Sequence, residues 1–358
     1  MRFKCQIKNV NLFAKFCASL ASLGQIAWCR LNDEDVQFTI VPDKGSQVWS
    51  VLKIETVFDI ESYILQSASE KNTINLEVPI QALSRALRSA YGATSTQIRL
   101  TKKDNVPMLS LTIITNTFSS GNNAVAVPAA ATEGAVPDEF DFNDDFAAPS
   151  MTPANRGGPR ERETIITQDI PVKVLSMEVV ERIHQPRTQE PDVNIYLPPL
   201  AQVKTISERF TRLAIATSKS SSSTSPRLEL SANMHGSLKI SLKTDALNIT
   251  SRWTGLTNPE LDPAQFQDGL EGVRNHPSTK MKELAGPNGE NEAGWSKVRI
   301  DAKDWSRVLS VGRVSARVIA CFINDGGLVM YVYLPNDENG SEDESCLTVS
   351  LGSLTCDP

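Results

Sequence analysis

One local pattern occurs four times along the sequence, and this repeat constrains the fold more than any other feature. In the first copy, Phe3, Cys5 and Ile7 alternate with polar residues, which is the period of a half-buried strand. A helix with one apolar stripe follows and ends at Gly24. Two strands around a turn at residues 32–35 complete the copy. The pattern predicts a strand, a helix and a hairpin.

The other three copies begin with strands at residues 74–78, 193–198 and 297–301. Each strand leads into a segment with the helical apolar period and then into two more strands. Four helices among a larger number of strands predict an α+β chain with two similar halves. Because every strand has strand neighbours in the sequence, we expect large antiparallel sheets that pair such neighbours.

Length and composition exclude several classes of protein. A chain of 358 residues predicts about two domains. No apolar run reaches the ~18–20 residues of a membrane helix, and residues 1–13 lack the apolar region of a secretory signal. The six cysteines have no C-x-x-C spacing, so we expect buried free thiols in a reducing compartment. These features predict a soluble intracellular protein with no membrane partner.

The net charge of −6 conceals a basic scaffold. Residues 116–163 contain no Leu or Ile and are predicted to be a disordered insertion. Residues 256–294 and 335–345 are rich in Pro, Gly, Asn and acidic residues, which predicts loop insertions. These three segments carry 20 acidic and 6 basic residues, so the rest of the chain carries 22 acidic and 30 basic residues. The overall charge therefore does not exclude a nucleic-acid partner.

The predicted helix surfaces opposite the apolar stripes are mostly basic. Helical spacing predicts one shared surface for Gln81, Ser84, Arg85 and Arg88. Lys4 and Lys8 support the first helix from the preceding strand. The basic helical positions are Lys15, Arg85, Arg88, Lys204, Arg209, Arg212, Lys303 and Arg307. They form either an ordinary solvated surface or a surface that contacts phosphates without reading bases. Periodicity alone leaves both interpretations open.

Three segments closely resemble the Hus-type subunit of the checkpoint sliding clamp, which is the heterotrimeric nine-one-one ring related to the replication clamp PCNA. They are residues 1–9 (MRFKCQIKN), 167–174 (TQDIPVKV) and 191–198 (PDVNIYLP). The resemblance covers the strand and helix segments of residues 1–115 and 164–351 and fails over the three insertions. It implies an α+β sliding-clamp (PCNA-like) fold, in which two similar domains each carry helices on one face of antiparallel sheets.

The resemblance also implies a domain plan and a function. It implies an N-terminal clamp domain over residues 1–174, an interdomain connector over 175–192 and a C-terminal clamp domain over 193–358. The protein would be a non-catalytic, nuclear subunit that encircles DNA and supports damage-checkpoint signalling and repair. Its partners would be two sister subunits of the Rad families, a clamp loader, checkpoint and repair proteins, and double-stranded DNA near single-strand junctions.

The family also implies roles for individual residues. Because clamp helices face DNA, the eight basic positions given above would be the DNA-facing set. Edge strands at residues 163–174 and 246–253 would pair with the sister subunits. Their apolar positions are Ile166, Ile170, Val172, Leu247 and Ile249. The connector would border a groove for partner peptides at Met177, Val179, Val180 and Ile183.

The sequence gives little support to an enzyme. His184, His235 and His276 are scattered, without a second ligand at zinc spacing, and no phosphate-binding loop or nucleophile elbow is present. The acidic run at residues 138–146 lacks the Gly and distal Glu of a calcium loop. We therefore expect no catalysis, no metal and no cofactor. The phenylalanines of that run indicate either a solvated tether or a docking peptide.

Two other functions remain open at this stage. A homotrimeric replication clamp would share the fold, although three copies of the long insertions would be awkward around one ring. A protein-interaction scaffold without a DNA role would tolerate neutralisation of the basic helix surfaces. The mass of the assembly in solution separates the first alternative from a heterotrimer, and DNA association separates the second.

Overall fold

The chain folds into three antiparallel sheets with a layer of helices packed against them. The computed structural model describes residues 1–41, 46–69, 71–119, 160–180, 189–217, 225–315, 317–335 and 345–354. Within these ranges, no helix has both the length and the apolar character that crossing a membrane requires.

The elements follow the predicted repeat. Those of the N-terminal half are β1 (Arg2–Gln6), α1 (Val10–Leu23), β2 (Ile26–Leu31), β3 (Asp35–Ile40), β4 (Gln47–Lys53), α2 (Ile54–Val57), β5 (Ile64–Gln66), β6 (Ile74–Pro79), α3 (Ile80–Arg88), β7 (Ser95–Lys103), β8 (Val106–Ser119), β9 (Arg160–Pro171), β10 (Lys173–Val174) and α4 (Met177–Val180). Those of the C-terminal half are β11 (Val193–Tyr196), α5 (Leu200–Thr217), β12 (Arg227–Asn233), β13 (Leu238–Lys243), β14 (Asn248–Trp253), α6 (Leu270–Asn275), α7 (Pro277–Leu284), β15 (Trp295–Asp301), α8 (Ala302–Val308), β16 (Val318–Ile323), β17 (Gly327–Tyr333) and β18 (Cys346–Gly352). Three short 3-10 helices lie at Pro263–Gln265, Glu292–Gly294 and Leu309–Arg313.

The sheets have five, nine and four strands. Their orders are β5-β1-β7-β8-β9, β10-β6-β2-β3-β4-β18-β17-β16-β11 and β14-β13-β12-β15. The predicted α+β class with large antiparallel sheets is confirmed. The expectation that strands pair only with sequence neighbours is wrong, because the first strand of each repeat joins the hairpin of the other repeat in the same half. Thus β1 pairs with β7, β6 with β2, β11 with β16 and β15 with β12.

Alternating burial along the strands places the core between the sheets and the helix layer. Phe3 and Cys5 of β1 are buried, whereas Lys4 between them points away from the core. The rings of Phe16 and Phe38 meet edge-on, with centroids 5.5 Å apart, where α1 packs on the sheet. The helices of the four repeats, α1, α3, α5 and α8, lie side by side across both halves.

The structure corrects two predicted insertions. Residues 256–294 are not loops alone, because they contain α6, α7 and two 3-10 helices. Their Pro, Gly and Asn residues are helix starts and turns, as at Pro277 and at Gly289 with a φ of 68°. The insertion predicted at 116–163 is shorter than expected, since β8 and β9 pair as far as Ser119 and Arg160. Residues 120–159 and 336–344 lie outside the described residues.

Candidate nucleic-acid interface

Side-chain caps and one buried hydrogen bond hold the helix layer in place. Asn9 accepts a hydrogen bond from the backbone N–H of Leu12 at 3.0 Å and so caps α1. Asp301 caps α8 in the same way, through the N–H of Lys303 at 2.8 Å. The indole of Trp305 on α8 donates to a hydroxyl of α5. The outward helix surfaces are therefore fixed relative to one another.

The structure brings all eight predicted basic residues onto these four helices. Seven of them are exposed and Lys204 is half-buried. Helices α1, α3, α5 and α8 carry eight basic and two acidic residues, the latter being Glu208 and Asp304. The layer thus presents a basic outer surface, opposite the apolar side that packs on the sheets.

Two carboxylates neutralise part of this surface. Glu208 lies 3.9 Å from Lys204 and 3.6 Å from Arg212, and Asp304 lies 3.5 Å from Arg307. Partial burial, with the neighbouring Asp301, raises the pKa of Asp304. The other basic positions have no carboxylate partner within the described part of the chain, and they are Lys15, Arg85, Arg88, Arg209 and Lys303.

The structure corrects three details of the basic helix surface that the sequence predicts. Ser84 is 3% exposed and faces the core, so it does not share the surface of Arg85 and Arg88. Lys4 lies on the side of its sheet away from the helices. Arg313 was missed, although it is exposed at the end of a 3-10 helix that contacts α1 and α5. The preceding Gly312 suggested that the helical segment had already ended.

Most sheet edges are short or covered. Strands β5 and β10, at two of the edges, have three and two residues. The edge of β11 is covered by the insertion, since the N–H of Tyr196 donates to the carbonyl of Thr257 at 2.9 Å. The edge of β15 is covered by the N–H of Asp325, which donates to the carbonyl of Lys297 at 2.9 Å, and by the N–H of Leu354. Within the described residues, the long edges left uncovered are those of β9 and β14.

The two uncovered edges are the strands predicted to pair with sister subunits. On β9, Ile166 is 38% exposed, whereas Ile170 on the same strand and Val172 just after it are buried in the chain's own core. On and before β14, Leu247 and Ile249 are half-buried against the same core. These strands can therefore offer backbone groups, together with Ile166 and the previously unnoticed Ile165, which is 61% exposed.

A pocket of about 170 Å³ lies beside the predicted connector groove. Val180 of α4 lines it together with Trp28 and Trp49, which flank Thr39 on the outer face of the nine-stranded sheet. The buried indole N–H of Trp49 has no hydrogen-bond partner among the described residues. Val179 is exposed. The side chain of Met177, and Ile183 altogether, lie outside the described residues.

The tryptophans were missed as groove residues. Their position could have been read from the alternation in the segments IAWCRL and QVWSVLK, where each Trp falls on an outward position. The sequence predicts groove residues on the connector alone. In the structure, residues of β2, β3 and β4 form the floor of this pocket.

Four of the cysteines, Cys5, Cys17, Cys29 and Cys321, are buried. Burial raises the pKa of Cys5 to about 11 and that of Cys29 and Cys321 to about 12, and it raises the pKa of Cys17 as well. Cys346 is half-buried, and Cys356 lies outside the described residues. In the described ranges, no three His, Cys, Asp or Glu side chains are grouped as metal ligands would be. The raised pKa values keep the thiols of Cys5, Cys17, Cys29 and Cys321 protonated at neutral pH.

Comparison with known proteins connects this geometry to a family. A family model described as "Hus1-like protein" matches residues 1–353. The chain belongs to this family. It is accordingly a Hus1-type checkpoint protein, a non-catalytic subunit of the nine-one-one checkpoint clamp, as the segment resemblance implied.

Curated relatives and a solved structure agree with the Hus1 assignment. The chain is 35% identical to "Checkpoint protein hus1" of Schizosaccharomyces pombe, over 95% of this chain and 96% of the relative. It is 25% identical to "Checkpoint protein HUS1" of Homo sapiens, over 73% and 76% of the two chains. The crystal structure of proliferating cellular nuclear antigen from Entamoeba histolytica superposes with a TM-score of 0.55 at 10% identity and covers 99% of each chain. That likeness confirms the PCNA-like fold.

Proposed function

We propose that the helix layer of this Hus1-type subunit faces double-stranded DNA enclosed by a heterotrimeric ring. The observation that carries the proposal is that α1, α3, α5 and α8 carry eight basic residues and only two acidic ones. Five of these basic residues have no carboxylate partner among the described residues. Such a surface attracts phosphates irrespective of sequence. A closed ring retains DNA by enclosure, so weak contacts suffice and allow sliding.

The proposed ring closes through the edges of β9 and β14. The two are the long uncovered edges of the described sheets, and an unpaired edge that meets a strand of a sister subunit gains backbone hydrogen bonds. Exposed Ile165 and Ile166 on β9 support an apolar contact there. The sister subunits would be those of the Rad families, and a clamp loader would open the ring.

The pocket beside α4 is the proposed docking place for peptides of checkpoint and repair proteins. Two tryptophans and Val180 supply apolar contact area, and the unpaired indole N–H of Trp49 is available to a peptide carbonyl. We also propose the domain bounds 1–174, 175–192 and 193–358, a nuclear location, and loading near junctions of double- and single-stranded DNA. These proposals rest on the family.

The DNA-facing role is tested by reversing Arg85, Arg88, Arg209 and Arg212 to Glu in the clamp assembled with its sister subunits. The reversal changes the local charge from attractive to repulsive within a Debye length of ~8–10 Å. We expect loading onto gapped DNA to fall, and the salt dependence of binding to lose about one unit of slope for each phosphate contact removed. These residues are exposed, so assembly should persist.

A matched control reverses four basic residues away from the helix layer, namely Lys102, Lys243, Lys280 and Lys282. They are exposed, and the same total charge is changed. Loss of DNA loading in the helix variant alone supports the proposal. Equal loading and equal salt slopes in the wild type and the helix variant would refute it and favour a scaffold without a DNA role.

A further inference from the structure

The outer face of the five-stranded sheet carries a basic row that points away from the helix layer. Lys4 of β1 lies directly opposite Arg99 of β7, and Arg99 lies opposite Ser110 of β8. Ser110 in turn lies opposite Asp169 of β9. The neighbours of these residues along each strand, such as Cys5 and Ile98, are buried in the core. The row is therefore outward and separate from the surface proposed to face DNA.

Positive charge in this row is not balanced. The side chain of Lys103 extends across β8, and its ammonium lies 3.7 Å from the carboxylate of Asp169. The carboxylate of Asp169 in this row is therefore already paired. Lys4, Arg99 and the adjacent outward Arg2 have no carboxylate partner within the described residues. Like charges directly opposite each other destabilise an antiparallel pair. A Lys–Arg pair at such a position indicates a surface that is completed by an anion.

Ser110 provides a second, independent observation. It lies on the outward side of β8, yet it is only 1% exposed because its neighbours in the sheet cover it. Its hydroxyl has no hydrogen-bond partner among the described residues. Buried hydroxyls are nearly always paired, and an unpaired one beneath cations is a donor available to an anion. In the strand register, this hydroxyl lies between Arg99 on β7 and Asp169 on β9.

The corresponding row of the four-stranded sheet is built differently. Its cations are Arg252, Lys239 and Lys297, and they surround Ser231. There the ammonium of Lys239 lies 3.6 Å from the ring centre of Trp295, and Arg252 binds Glu290 at 3.1 Å. Lys239 and Arg252 therefore have side-chain partners within the chain. In the row of the first sheet, Lys4 and Arg99 have no such partner among the described residues.

We propose that Lys4, Arg99 and Ser110, with Arg2 alongside, bind the phosphate of a phosphorylated peptide on the outer face of this sheet. A phosphomonoester carries a charge of about −1.5 to −2 and three acceptor oxygens at pH 7, which suits several cations and one hydroxyl donor. The cations are concentrated around one buried hydroxyl. A nucleic-acid strand would instead require a row of phosphate contacts along its backbone.

The test measures binding of a fluorescein-labelled peptide with a single phosphoserine, and of the same peptide with serine, to the assembled full-length clamp. We compare the wild type with Arg99→Glu, Ser110→Ala and the control Lys243→Glu, which changes the same charge on an exposed position of another sheet. Arg99→Glu places opposite charges across β1 and β7, so the fold should be retained. Ser110→Ala removes an unpaired hydroxyl and should leave the melting temperature unchanged or raised.

The proposal expects phosphopeptide affinity to fall at least tenfold in Arg99→Glu and several-fold in Ser110→Ala, while Lys243→Glu binds as the wild type does. The serine peptide should bind none of these proteins. Equal affinity in the wild type and both site variants would overturn the proposal. So would binding of a short oligothymidylate that depends on Arg99 without binding of the phosphopeptide, because the anion would then come from nucleic acid.

Discussion

The indole N–H of Trp305 donates a hydrogen bond of 3.1 Å to the hydroxyl of Ser207, and both residues are almost fully buried. The hydroxyl of Ser207 in turn donates a hydrogen bond of 2.8 Å to the carbonyl of Val203. This chain of bonds joins α8 to α5. It therefore fixes the position of Arg307 relative to Arg209 in the surface proposed to face DNA.

Ser207→Ala should cost about 1–3 kcal/mol in free energy of unfolding, because it leaves a buried indole N–H without a partner. Urea unfolding followed by tryptophan fluorescence and circular dichroism measures this loss. Ser306→Ala serves as a control on α8, since its hydroxyl makes a longer contact of 3.4 Å to Glu208 at a less buried position. Equal stability of Ser207→Ala and wild type would show that the bond does not join the helices.

The segment between β8 and β9 should be dispensable for folding. Ser119 and Arg160 are directly paired, so their backbones lie close together and a short linker can join them. Residues 120–159 contain no Leu or Ile. Replacing them with a Gly/Ser linker should leave the melting temperature within a few degrees, since loop length costs little entropy. A large fall in melting temperature or solubility would contradict this expectation.

The sequence predicted the repeat and the basic helix surface because both depend on local periodicity. Phe3 and Cys5 alternate with polar residues regardless of which element packs against their strand, and Arg85 and Arg88 are about one turn apart in any helix. The pairing of β1 with β7 was not predictable in this way. It is decided by which hairpin lies across the core, and strand alternation does not carry that information.

The missed features share a physical cause. Lys4 acquires its significance from Arg99 and Ser110 from Asp169, and both partners are distant in the sequence. The helices α6 and α7 lie in a segment rich in turn formers, and tertiary packing outweighs their weak propensity. His276 is an example, because it caps α7 while its ring packs edge-on against Phe266 at 5.7 Å.

Acidification should destabilise the insertion through His276. Burial lowers the pKa of this ring, against the opposing effect of Glu190 and Asp192. Its Nδ1 accepts the backbone N–H of Ser278 at 3.2 Å, which requires that nitrogen to be unprotonated. As the pH falls below about 6.5, the unfolded chain takes up a proton first, so stability is lost between that pH and the lower pKa of the folded state.

His276→Asn keeps a capping acceptor and removes the titration. Urea unfolding at pH 7.5 and pH 5.5 should show a loss of stability in the wild type that exceeds the loss in His276→Asn by on the order of 1 kcal/mol. The difference between the two proteins is the measured quantity, because it cancels other titrating groups. An equal loss in both would contradict the assignment.

The backbone N–H groups of β14 point alternately toward β13 and away from the sheet. This alternation provides two neighbouring variants that test whether β14 is a subunit interface. Thr244 and Leu247 exchange both backbone hydrogen bonds, at 2.7 and 3.4 Å. Because bonded and non-bonded pairs alternate in an antiparallel ladder, the N–H of Ile249 points toward β13. The N–H of Thr250 points outward, where a sister strand would accept it.

Thr250→Pro and Ile249→Pro should therefore have opposite effects on folding and on assembly. Proline at 250 removes an outward donor and is tolerated on an edge strand, so the subunit should fold and the ring should fail to form. Proline at 249 removes a bond to β13 and should lower the melting temperature of the subunit itself. Circular dichroism reports folding, and the mass of the complex co-expressed with its sister subunits reports assembly. Intact rings with a folded Thr250→Pro subunit would place the interface on another edge.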